Sequence, residues 1–378
     1  MDMAQDRYRD DISFLRQYTQ VHELSAGEAV VAVAPAWNAR VMTSSLGGPG
    51  GAAFGWLNRG FIEAGRTGTS FDNFGGEDRF WLGPEGGQFS VFFAPGAPQD
   101  LGHWQTPAGF NEGAFEVDSA NAILMHKSFT VTNTSGTRFD CHAERTIRLL
   151  TDKAVGEHLH QPLGDGVKLV AFESDNTLTN AGAKPWSRQG GLVSLWNLGQ
   201  FRPLPHGRVI VPFKSGPDSQ LGPRATTDYF GAIPPQRCAV KDDHLLFACD
   251  GQYRSKIGVS PARARDVLGS FDPDAGVLTL VQFNLPSDAP SRPYVNSLWQ
   301  PQEKPFAGDA VNSYNDGPPP GGGKALGGFY ELETSSPAAE LAPGQSLRHV
   351  HRTMHIQGPA ARLATLAKAV LGVDPRAM

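Results

Sequence analysis

Two glutamates and three histidines lie near the end of the chain, in two segments with strand-like sequence. Glu331 and Glu333 are two residues apart, His349 and His351 repeat that spacing, and His355 follows four residues later. Because successive side chains of a strand alternate between its two faces, each set shares one face. Carboxyl and imidazole groups are costly to bury unpaired. We therefore expect the two strands to be neighbours that line one polar cleft, where protons are transferred or a polar ligand binds.

The glutamate pair is suited to acid–base chemistry. Two carboxyl groups in one site resist joint ionisation, so the pKa of one of them rises. The protonated member is then a general acid, and its ionised neighbour is a general base. The alternative interpretation is an ordinary solvent-exposed strand surface that carries Glu331 and Glu333 as solvated charges.

The histidines also raise the question of a metal. Zinc needs three or four ligands at about 2.1 Å, and His349 and His351 have the spacing to supply two of them. His355 would lie about 13 Å from His351 along a strand, so Glu331 or Glu333 would have to complete the set. We favour hydrogen bonding to a ligand, acid catalysis or packing for these rings. We predict no cofactor, with a divalent metal at the His and Glu cluster as the open alternative.

A second group of candidates lies in the sequence Gly-Gly-Glu-Asp-Arg-Phe-Trp-Leu-Gly-Pro-Glu, which ends at Glu85. Arg79, Trp81 and Glu85 combine an aromatic face with charged groups. Sugar sites use this combination, with the ring against C–H bonds and the charges against hydroxyls. The alternative is a turn in which Arg79 pairs with one of the two carboxylates before it.

Three further residues are weaker candidates for ligand binding. Asn315 and Asp316 precede Gly317, and this sequence is typical of hydroxyl recognition and equally of a tight turn. Trp196 is able to stack on a pyranose ring or to pack in the core.

The elements that position these residues are predicted to be short strands. The 44 glycines and 29 prolines favour many turns, and strand patterns such as Gln88–Phe93, Ala122–Thr132 and Arg138–Leu150 are separated by turn residues. Helical periodicity is confined to residues 1–20 and 358–372. We predict an all-β fold, a large two-sheet β-sandwich with short terminal helices, which forms a single domain over residues 1–378.

Composition excludes several classes of partner. The net charge of −5 is spread along the chain without a basic run, which argues against nucleic acid and anionic membrane surfaces. No apolar run has membrane-spanning length. Cys141, Cys238 and Cys249 have no metal-type spacing, and we expect buried thiols in a cytoplasmic protein, or a periplasmic one if a leader precedes this sequence. Motifs of serine hydrolases, dithiol redox enzymes and zincins are absent. The sequence leaves the oligomeric state undetermined.

One motif resembles a known family. Leu332-Glu333-Thr334, followed by a proline and by Leu-x-Pro-Gly before the last strand, is similar to the end of the aldose 1-epimerases (galactose mutarotases). In that family the matching glutamate is the general base that takes the proton from the anomeric hydroxyl, which implies this role for Glu333. The segment that ends at Glu85 also resembles a pattern of bacterial mutarotase-like families. The resemblance implies the mutarotase-like supersandwich fold.

The resemblance stops at the family's catalytic histidine, which lies in an Asn-His-x-Tyr-Phe type segment. The corresponding strand here reads Leu-Trp-Asn-Leu-Gly from Leu195, without a histidine. His351, His160 or a protonated Glu331 would have to act as the acid on the ring oxygen instead.

We therefore predict a carbohydrate-active enzyme that acts at the anomeric centre of a sugar by general acid–base catalysis, as the epimerases do. Glu333 is the predicted base. The residues predicted to hold the small carbohydrate or oligosaccharide are Arg79, Trp81, Glu85, Trp196, Asn315, Asp316 and His349. The alternatives are a glycoside hydrolase or carbohydrate lyase that uses the same carboxylates, and a non-catalytic sugar-binding module.

Overall fold

The computed structural model describes residues 6–65, 73–118 and 122–377. Its eighteen strands in these ranges are β1 (His22–Ala26), β2 (Ala29–Ala34), β3 (Arg40–Ser45), β4 (Arg79–Gly83), β5 (Glu116–Val117), β6 (Ile123–Thr132), β7 (Arg138–Leu149), β8 (Lys168–Asn180), β9 (Ser194–Phe201), β10 (Arg208–Pro212), β11 (Cys238–Val240), β12 (His244–Ala248), β13 (Ser255–Val259), β14 (Val267–Asp272), β15 (Val277–Phe283), β16 (Val311–Asn315), β17 (Tyr330–Ser335) and β18 (Ser346–Gln357). The α-helices are α1 (Tyr8–Leu15), α2 (Arg59–Ala64), α3 (Ala108–Asn111), α4 (Asp152–Leu159), α5 (Asp218–Leu221) and α6 (Ala360–Leu371).

Three antiparallel sheets organise the chain. Ten strands form the largest sheet, in the order β11-β12-β10-β14-β15-β18-β8-β7-β6-β5. A five-stranded sheet, β13-β16-β17-β9-β4, packs against it, and β1-β2-β3 form the third. The predicted all-β sandwich is confirmed. The predicted placement of the two candidate strands side by side is wrong, because β17 and β18 belong to different sheets.

The apolar side chains fall into clusters on the two sides of the large sheet. Its inner face packs against the five-stranded sheet, through residues such as Phe172 and Leu178 of β8 and Leu195 of β9. Its outer face is covered by α4 and α6, where Leu363 and Leu366 of α6 are buried beside Met354. Burial of these apolar stripes stabilises the sandwich at roughly 25 cal/mol per Å² removed from water.

The terminal helices agree with the sequence pattern. Helix α1 lies within the predicted residues 1–20, of which the first five are outside the described residues, and buries Tyr8 and Leu15 against β2 and β3. Helix α6 begins after Pro359 and ends at the left-handed Gly372 (φ 78°), a common helix end because glycine has no Cβ to clash.

The strand predicted at Gln88–Phe93 is wrong. The segment turns instead: the amide of Ser90 donates to the carbonyl of Gly87 at 3.1 Å, and its hydroxyl donates to the carbonyl of Glu85 at 2.5 Å. Turn chemistry from the adjacent glycines and from Ser90 therefore outweighs the apolar alternation.

Candidate active site

The outward face of the five-stranded sheet carries a small cavity that buried charged side chains and aromatic rings line. Strand register places Glu331 opposite Gln200 of β9 and Tyr314 of β16, and Tyr314 opposite Lys256 of β13. Directly opposite residues of antiparallel strands point to the same side, so these side chains share one face. Arg79 of β4 lies on that face too, since its side chain reaches Glu331.

Glu331 lies at the centre of this face with two donors. The guanidinium of Arg79 makes a short charge-assisted hydrogen bond to its Oε1, and Nε2 of Gln200 donates to the same oxygen at 3.0 Å. Burial and the nearby carboxylate of Glu333 outweigh the attraction of Arg79 and raise the pKa of Glu331 to about 8. Glu331 therefore holds a proton near neutral pH.

Glu333 is fully buried two residues further along β17 and has different partners. Its Oε2 accepts hydrogen bonds from Nε1 of Trp196 at 2.9 Å and from Nζ of Lys256 at 3.0 Å. Its Oε1 is buried without a hydrogen-bond partner in the described part of the chain. One oxygen is therefore held in place, and the other is available to accept a proton.

Lys256 is the functional candidate that the sequence analysis missed. Its ammonium group lies over the Trp196 ring at 4.8 Å and 3.8 Å from Oε2 of Glu85. Burial opposes its charge, but Glu333, Glu85 and Glu331 together raise the pKa of Lys256 above its ordinary value. A single charged residue in the short strand β13 was the one sequence signal for Lys256.

Aromatic side chains close the cavity. Trp81 lies beneath the Arg79 guanidinium at 4.6 Å, and Phe230, Trp299 and Phe329 complete the wall together with Glu85. Burial, ahead of the opposing effect of Lys256, raises the pKa of Glu85. The cavity measures about 30 Å³, room for about two water molecules. This volume is smaller than a sugar ring, so the cavity has to widen before a sugar binds.

His349 and His351 lie on the other side of β17. Thr334, whose side chain points away from the cavity, hydrogen-bonds Nε2 of His349 at 2.8 Å and Nδ1 of His351 at 2.9 Å. Burial is the main cause that lowers the pKa of His349 to about 3 and that of His351 to about 4. The prediction that these histidines converge with the glutamates is wrong. Side chains alternate along β17, so Thr334 points to the space between the sheets, and both histidines bind it there.

The other candidate histidines also lie away from the cavity. His355 binds Oε2 of Glu77 at 2.8 Å and stacks on Phe54 at 4.0 Å between ring centroids. His160 is exposed in left-handed conformation at the end of α4 (φ 51°). His160 and His351 are therefore not placed to act as the acid.

Asn315 and Asp316 hold loops rather than line the cavity. The side-chain Nδ2 of Asn315 donates to the carbonyl of Tyr253 at 2.9 Å, and its Oδ1 accepts from the backbone amide of Gly251 at 2.9 Å. Asp316 accepts from the Gly328 amide at 2.7 Å, among three such backbone amides. Of the predicted sugar-binding residues, Arg79, Trp81, Glu85 and Trp196 share the cavity; Asn315, Asp316 and His349 do not.

Within residues 6–65, 73–118 and 122–377, no three His, Cys, Asp or Glu side chains come together as a metal-ion site. The three cysteines carry free thiols, and burial raises the pKa of Cys238 to about 11. No helix in the described part of the chain is both long and apolar enough to cross a membrane.

Comparison with known proteins places the fold. Three solved structures are similar: a protein of Escherichia coli K12 provisionally named an aldose 1-epimerase (11% identity, 90% of this chain and 99% of that one, TM-score 0.53), the Slr1438 protein of Synechocystis sp. PCC 6803 (11%, 90% and 96%, 0.50), and a galactose mutarotase-like protein of Lactobacillus casei ATCC 334 (11%, 89% and 100%, 0.45). At such identity the first two show the shared fold and no reaction.

None of the curated protein sequences matches this chain. Residues 6–377 match the sequence profile of a family of unknown function, DUF6786. The chain therefore belongs to DUF6786 and has the β-sandwich fold of the galactose mutarotase-like proteins.

Proposed function

We propose that this protein is a carbohydrate-active enzyme that acts at the anomeric centre of a sugar, with epimerase-like acid–base chemistry. One observation carries the proposal: Glu331 lines the cavity with its pKa raised to about 8, and Glu333 lies on the same face of β17 with one buried oxygen that has no hydrogen-bond partner in the described part of the chain. A protonated and an ionised carboxyl group side by side are the pair that such chemistry needs. The fold shared with a protein provisionally named an aldose 1-epimerase supports this choice of reaction.

In the proposed reaction, Oε1 of Glu333 takes the proton of the anomeric hydroxyl. The O–H electron pair forms the C1=O double bond, the bond from C1 to the ring oxygen breaks, and the ring oxygen takes the proton of Glu331. Rotation about the C1–C2 bond turns the other face of the aldehyde to the same hydroxyl. Reversal of the steps closes the ring with inverted configuration at C1 and returns both protons, so no cofactor is consumed.

The partners of the two carboxyl groups support these roles. Lys256 and Trp196 both donate to one oxygen of Glu333, and this fixes the orientation of the carboxyl group. Arg79 and Gln200 fix the Glu331 carboxyl group from the other side. Trp81 supports the Arg79 guanidinium from below.

Anomeric exchange tests the proposal. Two-dimensional exchange NMR on a panel of free sugars should detect faster interconversion of α and β anomers with the wild-type protein. Glu333→Gln should reduce that rate about 100- to 10,000-fold, the usual contribution of a general base. Glu173→Gln is the matched control, because Glu173 is also a buried glutamate with a basic partner, Arg352 at 2.5 Å, but lies on a different sheet.

Two outcomes would replace the proposal. If Glu333→Gln exchanges anomers as fast as the wild type, Glu333 is not the base. If free sugars are not exchanged but oligosaccharides give new reducing ends or an unsaturated product, the same carboxyl pair cleaves glycosidic bonds. Binding without any turnover would instead indicate a sugar-binding module.

A further inference from the structure

Arg254 is a buried cation in the wall of the cavity, directly before β13. Its side chain lines the cavity, and the residue is only 8% exposed. The guanidinium stacks on Phe230 at 4.2 Å and lies 5.4 Å from the centroid of Trp299. In the part of the chain that the structure describes, no hydrogen bond or ion pair reaches this guanidinium, and its Nε is buried without a partner.

Three other buried arginines, Arg79, Arg145 and Arg263, have acidic partners. Arg145 pairs with Asp78 at 3.0 Å, and Arg263 pairs with Asp218 at 2.6 Å. A buried charge is costly unless it is paired and hydrogen-bonded, so folding alone gives no reason for an arginine at position 254. The buried Nε, which has no partner in the described residues, instead points to a ligand that supplies an anion.

The charged groups around the cavity also favour an anionic ligand. Three cations, Arg79, Arg254 and Lys256, face three carboxyl groups. Of those carboxyl groups, Glu331 has its pKa raised to about 8 by burial and by Glu333. When Glu331 holds its proton, the cavity carries one positive charge more than its carboxylates balance.

The ring contacts of Arg254 do not use the N–H groups of its guanidinium. The guanidinium carbon of Arg254 lies over the Phe230 ring and 5.4 Å from the centroid of Trp299, while the N–H groups of a guanidinium lie in its own plane. That planar fork matches the two oxygens of a carboxylate or phosphate. A lysine would not present the same fork.

We propose that the substrate is an acidic sugar and that Arg254 binds its carboxylate or phosphate group. This inference rests on the proposed function. The anion completes the charge balance of the cavity, and the loops that carry Phe230 and Trp299 close over it. A uronic acid and a sugar phosphate offer the same chemistry to this arginine, so the experiment has an arm for each.

The experiment compares matched sugars. Exchange NMR gives kcat/KM, and NMR titration gives Kd, for D-glucose, D-glucuronate and D-glucose 6-phosphate, and for the galactose series. The wild type should prefer one acidic member over its neutral parent by about 10- to 100-fold, the usual effect of a charge-assisted hydrogen bond. Arg254→Met should abolish that preference, and Arg254→Lys should restore part of it.

Arg237→Met is the matched control. Arg237 also contacts an aromatic ring, Tyr253 at 5.5 Å, but it is paired with Asp250 and does not line the cavity. This variant should keep the preference for the acidic sugar. A wild-type protein that treats neutral and acidic sugars alike, or an Arg254→Met variant that keeps the preference, overturns the inference while the proposed reaction stands.

The binding arm separates the two proposals. If no sugar is exchanged but an acidic sugar binds and Arg254→Met weakens that binding by at least about tenfold, the anion site is supported and the proposed reaction fails. If neither the uronates nor the sugar phosphates bind, the anion site is wrong.

Discussion

The five-stranded sheet lies between two buried polar regions, and these regions differ in how their charges are balanced. On the face toward the ten-stranded sheet, Asp78 and Arg145 pair at 3.0 Å. On the face that forms the cavity, Glu331 pairs with Arg79, while Arg254 has no carboxylate within ion-pair distance in the described chain. The five-stranded sheet therefore has a balanced pair of charges on one side and, on the other, an arginine without an ion-pair partner in the described residues.

The two buried carboxyl groups respond to this difference. Burial would raise the pKa of Asp78, but Arg145 and the hydrogen bonds from Ser174 and Asn197 hold it below its ordinary value. For Glu331, burial prevails even beside Arg79 and the pKa rises to about 8. Balanced charges fix the packing of two sheets, whereas unbalanced ones keep a proton or an anion-binding group available for chemistry.

Arg145→Met tests the balanced face and should have the largest effect on stability. Removal of the guanidinium leaves the Asp78 carboxylate buried without a cation, which costs about 3–5 kcal/mol of the free energy of unfolding. Urea denaturation measures this loss. The double variant with Asp78→Asn should recover part of it; a single variant within about 1 kcal/mol of the wild type would show that the pair is not needed.

Thr334→Val tests whether His349 and His351 serve packing rather than catalysis. The substitution keeps the side-chain shape but removes both hydrogen bonds to the rings, which should lower the free energy of unfolding by about 1–3 kcal/mol. Anomeric exchange per folded molecule should stay within a few-fold of the wild type. Thr334→Ser, which keeps the hydroxyl, is the control, and a large loss of exchange in the valine variant at full folding would return the histidines to the mechanism.

The pH dependence tests the acid on the cavity face. Glu331 donates only while protonated, and its pKa is raised from the ordinary 4.5 to about 8, so kcat/KM should be retained below pH 8 and fall about tenfold per unit above it. The stability from this proton is present below pH 4.5 and is lost as the pH rises through about 8. Glu331→Gln should show neither dependence. A wild-type profile that is flat up to pH 10 would exclude Glu331 as the acid.

The sequence could predict which side chains share a face of one strand, but not which strands become neighbours. Alternation along the chain correctly groups Glu331 with Glu333 and sets Thr334 on the opposite side, because a strand fixes this geometry by itself. It says nothing about which strands become neighbours. The location of β18 in the other sheet, and the contact of Lys256 with a glutamate 77 residues away, depend on non-local pairing that one sequence does not reveal.

Arg254→Met, the counterpart of Arg145→Met on the cavity face, should have the smallest effect on the free energy of unfolding. Arg254→Met loses two ring contacts but also removes a buried charge that has no acidic partner, and these effects oppose each other. The free energy of unfolding should therefore change by under about 1 kcal/mol, against about 3–5 kcal/mol for Arg145→Met. Urea denaturation of both variants in one buffer makes the comparison. Equal losses of stability in the two variants would mean that Arg254 serves the fold. If Arg254→Met is as stable as the wild type but no longer prefers acidic sugars, the missing guanidinium is the cause, because the rest of the cavity remains folded.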